Sequence, residues 1–398
     1  MLVEQYFYPE GWGGAQIPRD IALAWREAGF AVSVLCGTEQ YVATDDAGPD
    51  PAAAGITILR VPRLLPGAPR TARMLRTLWF CLWALVRLLA RRRARLIVTQ
   101  TNPPLIVPVT ALAAAIRRIP LVIIAQDLYP EVLIASGSIP ESAWPTRLLE
   151  AVFSRAYRRA SRVVVLGPCM ERRVRAKGVA PERLVIISNW ATGHLEAVRQ
   201  AGLRARLGLE DAFVVLYTGN LGRGHEFATL LEGVRRAAGS GPRLTLVFVG
   251  GGARRAEVER RAAELGLDVR FLDHVSAQEL PAVLGLAQLG VVTLRAGFEG
   301  VIVPSKLFGY LARGLPTLYI GPEGDMSEVI RAADCGAVCA PGDAAAVAAV
   351  LERARTDHSL LEHWGQRARA AYARRYDRTI GLAAYVSLAA GALREASP

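Results

Sequence analysis

The sequence predicts an α/β protein built of two parallel-sheet domains, and three observations carry that reading. At 398 residues the chain exceeds what one ordinary core holds. Short apolar strands alternate with helical patterns through both halves, the grammar of parallel sheets covered by helices on both faces. A composition of 52% hydrophobic and 21% charged residues belongs to a folded chain and excludes disorder.

The elements follow in order. A strand at about 1–7 runs into the turn Pro9-Glu10-Gly11-Trp12-Gly13-Gly14. A helix comes next, with Ile17, Ile21, Ala24, Trp25 and Ala28 on one face and Gly29 as its stop. The strands AVSVLCG, GITILRV, RLIVTQ, LVIIAQ and RVVVLG complete the first half, with a loop-rich excursion over 38–55. The second half starts after Asn189-Trp190 and a charged stretch, and its strands are FVVLYTG, LTLVFVG, VRFLD, LGVVTL, PTLYI and GAVCA. Helices are expected between them, from Glu226 to Ala238 and from Arg254 to Leu265, and a helical segment closes the chain. The expected domains are 1–190 and 191–375, with 376–398 packing back on the first.

Several classes are excluded. No apolar run reaches the roughly 18–20 residues of a spanning helix. The opening MLVEQYFYPE has neither the basic flank nor the apolar core of an export signal. The cysteines, at 36, 81, 169, 335 and 339, are odd in number and form no CxxC pair. They read as buried structural thiols in a reducing compartment rather than a zinc site or a disulfide framework. A net charge of +12 calls for anionic partners. Lys177 and Lys306 are the only lysines among 48 cations. Codon usage accounts for the general bias, but a lysine retained in such a chain points to a need for a compact point charge.

Four glycine-bearing segments are candidates for chemistry. GWGGAQIPRD joins a strand to a helix, where bare backbone and free N–H groups can meet an anion. YTGNLGRGHEF repeats the arrangement with Gly219, Gly222 and Gly224, and adds Arg223 and His225. Fixed donors beside a cation suit a diphosphate leaving group. VFVGGGARR imitates a dinucleotide fingerprint through Gly250 and Gly252, with Asp273 downstream. Its third glycine position holds Arg255, and it follows the second strand of its half, so that reading is set aside. The fourth, Phe298 to Pro316, brings a carboxylate, Glu299, and a turn into a helix starting near Pro304. Ser305 fits its cap or first turn, and Lys306 lies in the first turn. A lysine there opposes the helix macrodipole unless an anion joins it.

The order and wording of QYFYPEGWGGAQ, AQDLYPE, IISNWA, YTGNLGRGHEF, FVGGGARR, EGVIVPSKLFGYLARGLP and VCAPGD resemble family 4 of the GT-B glycosyltransferases, in the bacterial polysaccharide and O-antigen branch. The resemblance runs through nearly the whole chain. It implies two Rossmann-like domains facing a cleft and a nucleotide-sugar donor as substrate, with no cofactor; no DxD motif occurs, Asp45-Asp46 of the loop-rich stretch reads as a solvated pair, and metal independence is expected. By match, Glu299, Asp127, Lys306 and Arg223 take the catalytic places. Gly13, Gly14, Gly219, Asn220, His225, Gly250, Gly251, Val303, Pro304 and Ser305 line the donor. Gln126 stands where many relatives carry histidine, and Gly309 where the second glutamate of the family pattern, which meets the ribose, is usual. The implied reaction is retaining and needs no protein nucleophile. The resemblance also points to a lipid-diphosphate or glycan acceptor on the inner face of the plasma membrane. Residues 70–95 fit that setting: Leu78, Trp79, Phe80, Leu82, Trp83, Leu85 and Val86 lie between arginine clusters, too short to span and apolar enough to lie in an interface. A core helix with a basic end is the alternative. No nucleic-acid motif accompanies the charge. A GT-B sugar-nucleotide epimerase and a silent sugar-nucleotide-binding subunit remain the competing functions.

Overall fold

The structure, a computed structural model, describes residues 1–9, 13–38, 50–62, 73–91, 93–192, 202–237 and 241–395. It comprises two compact units. One is Met1–Ser188 with Gly300–Ile302 and Thr379–Pro398, and the other is Asn189–Glu299 with Val303–Arg378.

The first unit runs β1 (Leu2–Glu4), α1 (Gly13–Glu27), β2 (Ser33–Cys36), β3 (Thr57–Arg60), α2 (Arg73–Ala90), β4 (Ile97–Gln100) and α3 (Ile106–Arg117). It continues with β5 (Leu121–Ile124), α4 (Glu131–Ala135), α5 (Trp144–Arg159), β6 (Arg162–Val165), α6 (Pro168–Ala176) and β7 (Leu184–Ile186). Its seven strands are parallel in the order β3-β2-β1-β4-β5-β6-β7. The aliphatic runs Ile97–Gln100 and Leu121–Ile124 are buried at every position, as strands covered on both faces require. Strand order reverses between β1 and β4, which opens a crevice at their carboxyl ends.

The second unit runs α7 (Leu203–Arg206), β8 (Ala212–Thr218), α8 (Ala228–Arg236), β9 (Arg243–Val249), α9 (Arg255–Glu264), β10 (Val269–Leu272), α10 (Leu280–Leu284) and β11 (Leu289–Thr293). Then come α11 (Lys306–Arg313), β12 (Thr317–Ile320), α12 (Asp325–Ala333), β13 (Gly336–Cys339), α13 (Ala344–Thr356) and α14 (His358–Ala371). Six parallel strands lie in the order β10-β9-β8-β11-β12-β13, with the reversal between β8 and β11. Val215, Tyr217, Phe227, Leu230, Phe248 and Val347 belong to one core cluster between this sheet and its helices.

Several elements differ from the sequence reading. β7 was not anticipated: it is three residues long and half exposed, so its apolar run carries little signal. The closing segment is not one helix. After α14 a five-residue π-helical turn, Tyr372–Tyr376, leads to extended Asp377, and α15 (Arg378–Glu395) begins anew. α15 joins the first unit, where Trp25 Nε1 donates to Tyr385 O at 3.0 Å and Arg162 pairs with Glu395. Asp45 and Asp46 of the loop-rich stretch lie outside the described residues.

Lys177 is buried just beyond α6. Its Nζ meets Glu131 and lies 2.7 Å from Glu150 Oε1, so both helices that carry these acids are tied to one cation.

α2 covers most of the segment read as interfacial, and its facing corrects the part of that reading that rests on Trp79, Phe80 and Trp83. Phe80, Ala84 and Leu88 point into the core, while Leu75, Leu78, Leu82 and Val86 are exposed. Trp79 and Trp83 do not face outward: both are half-buried, packed edge to face at 5.8 Å, and Trp79 Nε1 donates to Pro62 O at 2.9 Å. An indole N–H turns toward the backbone that can accept its hydrogen bond, leaving the leucines outside. Trp79→Ser with Trp83→Ser should therefore lower unfolding stability by about 1–3 kcal/mol, read from urea midpoints. Unchanged midpoints would return these rings to the surface.

Candidate functional site

Most of the residues singled out in the second unit meet at the carboxyl edge of its sheet. β8 ends at Thr218, and the chain turns over Gly219 at φ 106°. Gly219 N–H donates to Val249 O at 2.8 Å, and Leu221 N–H donates to Gly251 O at 2.7 Å, locking the turn to the end of β9. The two backbones come so close that a Cβ on Gly250, at φ 126°, would stand 2.4 Å from Gly219 O. Both the contact and the left-handed backbone exclude other residues there.

Lys306 opens α11 beside this turn. Its Nζ donates to Tyr217 Oη at 2.9 Å and lies 4.0 Å from the centre of that ring. The Tyr217 hydroxyl donates in turn to Asn220 O at 2.8 Å, so the ammonium is tied to the turn through one phenol. A second phenol fixes the helix: Tyr310 Oη accepts from Thr218 N at 3.0 Å. Lys306 is half-buried, and loss of hydration pulls its pKa down to about 7. Such a charge at a helix start is costly unless an anion shares the place. Val303 is half-buried and Pro304 buried, while Ser305 is exposed and holds the N-cap position without a side-chain cap bond.

His225 is uncharged. Burial, with Lys306 nearby, pushes its pKa down to about 3, and its Nδ1 lies 2.8 Å from Thr293 O. Donation to that carbonyl puts the proton on Nδ1 and a lone pair on Nε2, so the ring offers hydrogen bonding rather than charge. Arg223 is exposed on the turn, and its carbonyl accepts from Arg295 Nη1 at 3.2 Å. Glu299 is half-buried in the turn before α11. At Gly309 an added Cβ would meet nothing within 4 Å, so α11 faces open space there.

The first unit holds the others. Gly13 and Gly14 open α1. Asp127 follows β5, is half-buried, and loses enough hydration that its carboxyl rises to about 6. Thr101 Oγ1 accepts from the backbone N–H of both Gln126 and Asp127, each at 3.1 Å. Asp127 also forms an antiparallel bridge with Ile302, and Leu128 N–H donates to Val301 O at 2.9 Å. The short Gly300–Ile302 stretch thus adds to this unit beside Asp127, immediately after Glu299.

Sequence reasoning missed Thr101 and Tyr217. Thr101 stands outside any glycine motif, and its signal was only a hydroxyl at the end of a buried strand. Tyr217 lies inside YTG, at a position where the core alone explains an aromatic. Asp273, the acid of the rejected dinucleotide reading, is held by Arg255 at 2.6 Å. Among the described residues, no group of three or more His, Cys, Asp or Glu side chains is placed to hold a metal ion.

Two parallel-sheet Rossmann-like units, with a cation poised over a glycine-lined carboxyl edge, define the GT-B class of glycosyltransferases. Residues 13–190 match the Glycosyl transferase 4-like domain, and residues 199–371 match the Glycosyl transferases group 1 domain. With both domains present in order over most of its length, the chain belongs to the GT-B glycosyltransferases of family 4. It is 28% identical to WbjE of Pseudomonas aeruginosa, named for a glycosyltransferase, over 67% of this chain and 68% of that one. It is 26% identical to WcaI of Escherichia coli K12, named for colanic acid biosynthesis, over 65% and 66% respectively. Its fold is similar to that of HepE from Anabaena, solved in complex with UDP-glucose, with a TM-score of 0.73 at 18% identity over 98% of both chains.

The glycine turn gives a direct test. Gly250→Ala should cost about 1–3 kcal/mol in a denaturant titration, from strain and from the clash with Gly219 O. Gly251→Ala, whose Cβ would stand 3.4 Å from His274 Nε2, should cost less. Equal stability of the two variants would mean that the approach at Gly250 is not tight.

Proposed function

We propose that this glycosyltransferase is retaining and metal-independent. In this reading it moves a hexosyl or related group from a nucleotide-sugar donor to a glycan precursor carried on a polyprenyl diphosphate. The place of action is the inner face of the plasma membrane. The observation that carries the donor reading is Lys306: an ammonium that burial strips of water, at a helix start, beside a left-handed glycine turn. That set is complementary to a diphosphate. HepE, solved with UDP-glucose, supports a nucleotide sugar as donor, and WcaI, named for colanic acid biosynthesis, supports a polysaccharide precursor as acceptor.

The chemistry follows from charge. The bond between the sugar's anomeric carbon and the β-phosphate oxygen breaks, leaving a cationic sugar and a diphosphate with one more negative charge. Lys306, Arg223 and the first N–H groups of α11 take up that charge. The acceptor hydroxyl attacks from the same face and gives its proton to the departing phosphate oxygen, so no protein nucleophile is required. Glu299 accepts hydrogen bonds from sugar hydroxyls, and Asp127, with its raised proton affinity, meets the transferred sugar from the first unit. The neutral His225 adds a hydrogen bond without competing for the anion. The open space at Gly309 favours one other reading, a subunit that binds the nucleotide sugar and transfers nothing.

Slow release of nucleoside diphosphate from a donor panel separates these readings: release marks a transferase, isomerised donor an epimerase, and binding alone a silent subunit. Lys306→Ala and Glu299→Ala should each lower transfer by about two orders of magnitude or more while the fold survives. Wild-type turnover in either would remove the donor from this edge.

Donor affinity should also depend on pH. Burial holds Lys306 near 7, and a diphosphate beside it would raise it. Below 7 the lysine is charged in both states and affinity is full. Above 7 the free enzyme loses the proton that the complex keeps, so affinity falls by up to about tenfold per pH unit until the bound lysine also titrates. Calorimetry from pH 6 to 9 reads this, and a flat profile would deny the contact.

A further inference from the structure

Lys177, one of only two lysines in the chain, takes no part in the proposed transfer chemistry. It is the centre of a cluster drawn from three places in the first unit. Glu131 opens α4, Glu150 and Tyr157 lie on α5, and Lys177 follows α6. The Lys177 ammonium pairs with Glu131 and lies 2.7 Å from Glu150 Oε1. Ser154 Oγ also donates to Glu150 Oε1, at 3.0 Å. Arg158 Nη1 donates to the Lys177 carbonyl at 2.9 Å, which fixes the backbone from which the lysine starts. Two carboxylates on one buried nitrogen suit a compact point charge better than a planar guanidinium.

Two atoms of this cluster are buried and have no hydrogen-bond partner among the described residues: Tyr157 Oη, on a side chain with 0% exposure, and Glu131 Oε2. Such groups are rare in folded proteins, because each has given up its hydration for nothing. Here one is a donor and the other an acceptor. Asp127 stands four residues before Glu131, and its charge is felt at Tyr157 together with those of Glu131 and Glu150. Burial first, and then these three carboxylates, raise the phenol's hold on its proton, so Tyr157 stays a donor at any working pH. Thr101 holds Asp127 by its backbone N–H, not by its carboxyl.

We infer that Tyr157 is a positioning residue for Asp127, sharing its one hydroxyl proton between the carboxyls of Asp127 and Glu131 across a bridging water, and that Lys177 tips this sharing toward Asp127. Water is the link because no direct hydrogen bond reaches Tyr157 Oη, and three polar groups are enough to hold one. Lys177 acts by compensation. With the ammonium already on it, Glu131 draws a second donor weakly. The Asp127 carboxyl, shifted by burial alone, has no such compensation and draws the donor strongly.

The inference rests on the proposed place of Asp127 at the transferred sugar. There the carboxylate stabilises the positive charge that develops on the sugar. Transfer should therefore rise with pH as Asp127 loses its proton, near 6. Two variants should move that point in opposite directions. Tyr157→Phe removes a donor that favours the carboxylate, so the Asp127 pKa should rise by about half a pH unit or more. Glu131→Gln removes the competing carboxylate, so it should fall by a similar amount. Tyr157→Phe takes away a hydroxyl with no protein partner, and Glu131→Gln leaves Lys177 paired with Glu150. Melting temperatures should accordingly stay close to wild type.

The test is carbon-13 NMR titration of the full chain labelled at its aspartate carboxyls, with Asp127→Asn assigning the resonance. This reading needs no donor. The pH profile of donor hydrolysis is recorded on the same proteins, and its acid limb should move with the NMR titration. An Asp127 pKa that stays put in either variant, or moves the same way in both, overturns the inference. Opposite NMR shifts with an unmoved acid limb would uphold the proton sharing and remove Asp127 from the chemistry, a failure of the functional reading and not of the network.

Discussion

One ammonium over one phenol ring organises the second unit's carboxyl edge. Lys306 reaches back from α11 to Tyr217 on β8, and Tyr217 hands the hydrogen bond on to the carbonyl of Asn220. Strand, glycine turn and helix start are thereby fixed by a cation that forms no ion pair among the described residues. The arrangement costs hydration, and the hydrogen bond and ring contact with Tyr217 offset part of it. The same region gives up a side chain where backbone must approach backbone, at Gly250, and where the turn is left-handed, at Gly219. Left-handed glycines and a dehydrated cation at the crevice side of a parallel sheet are features of a place shaped for a ligand rather than for stability.

The first unit answers with a different device. Asp127 is placed through its backbone: Thr101 receives two successive N–H groups, and the Gly300–Ile302 stretch adds a bridge. The crossing matters because Glu299 and Lys306 flank it in sequence. A segment of three residues, counted with one unit, is covalently bounded on both sides by groups of the other.

Much of this was legible in the sequence because the signal was local. Buried parallel strands are continuous apolar runs, and the glycine turns stand where those runs end, so both sheets and the position of Lys306 could be read directly. What could not be read was facing. α2 carries apolar residues around most of its circumference, and only the structure separates Phe80 and Leu88, which enter the core, from Leu78 and Leu82, which do not. The tryptophans misled because a large amphipathic ring suits an interface and a half-buried seam equally well. β7 escaped because three residues give no periodicity, and the break at Asp377 because a π-helical turn leaves no gap in a helical pattern. Thr101 and Tyr217 act through contacts between residues distant in sequence, 25 residues apart in one case and 89 in the other.

The two lysines carry a last consequence, in the chemistry the protein presents to reagents. Arginine resists acylation near neutral pH, so amine-directed labels find few side chains to attack in a chain with only two lysines. Lys177 is enclosed and held by two carboxylates. Lys306, whose pKa burial lowers to about 7, offers more free amine near neutral pH than a fully hydrated lysine does. The scarcity that marked it in the sequence also makes it a nearly unique chemical handle, placed where an occupant of the glycine turn would shield it.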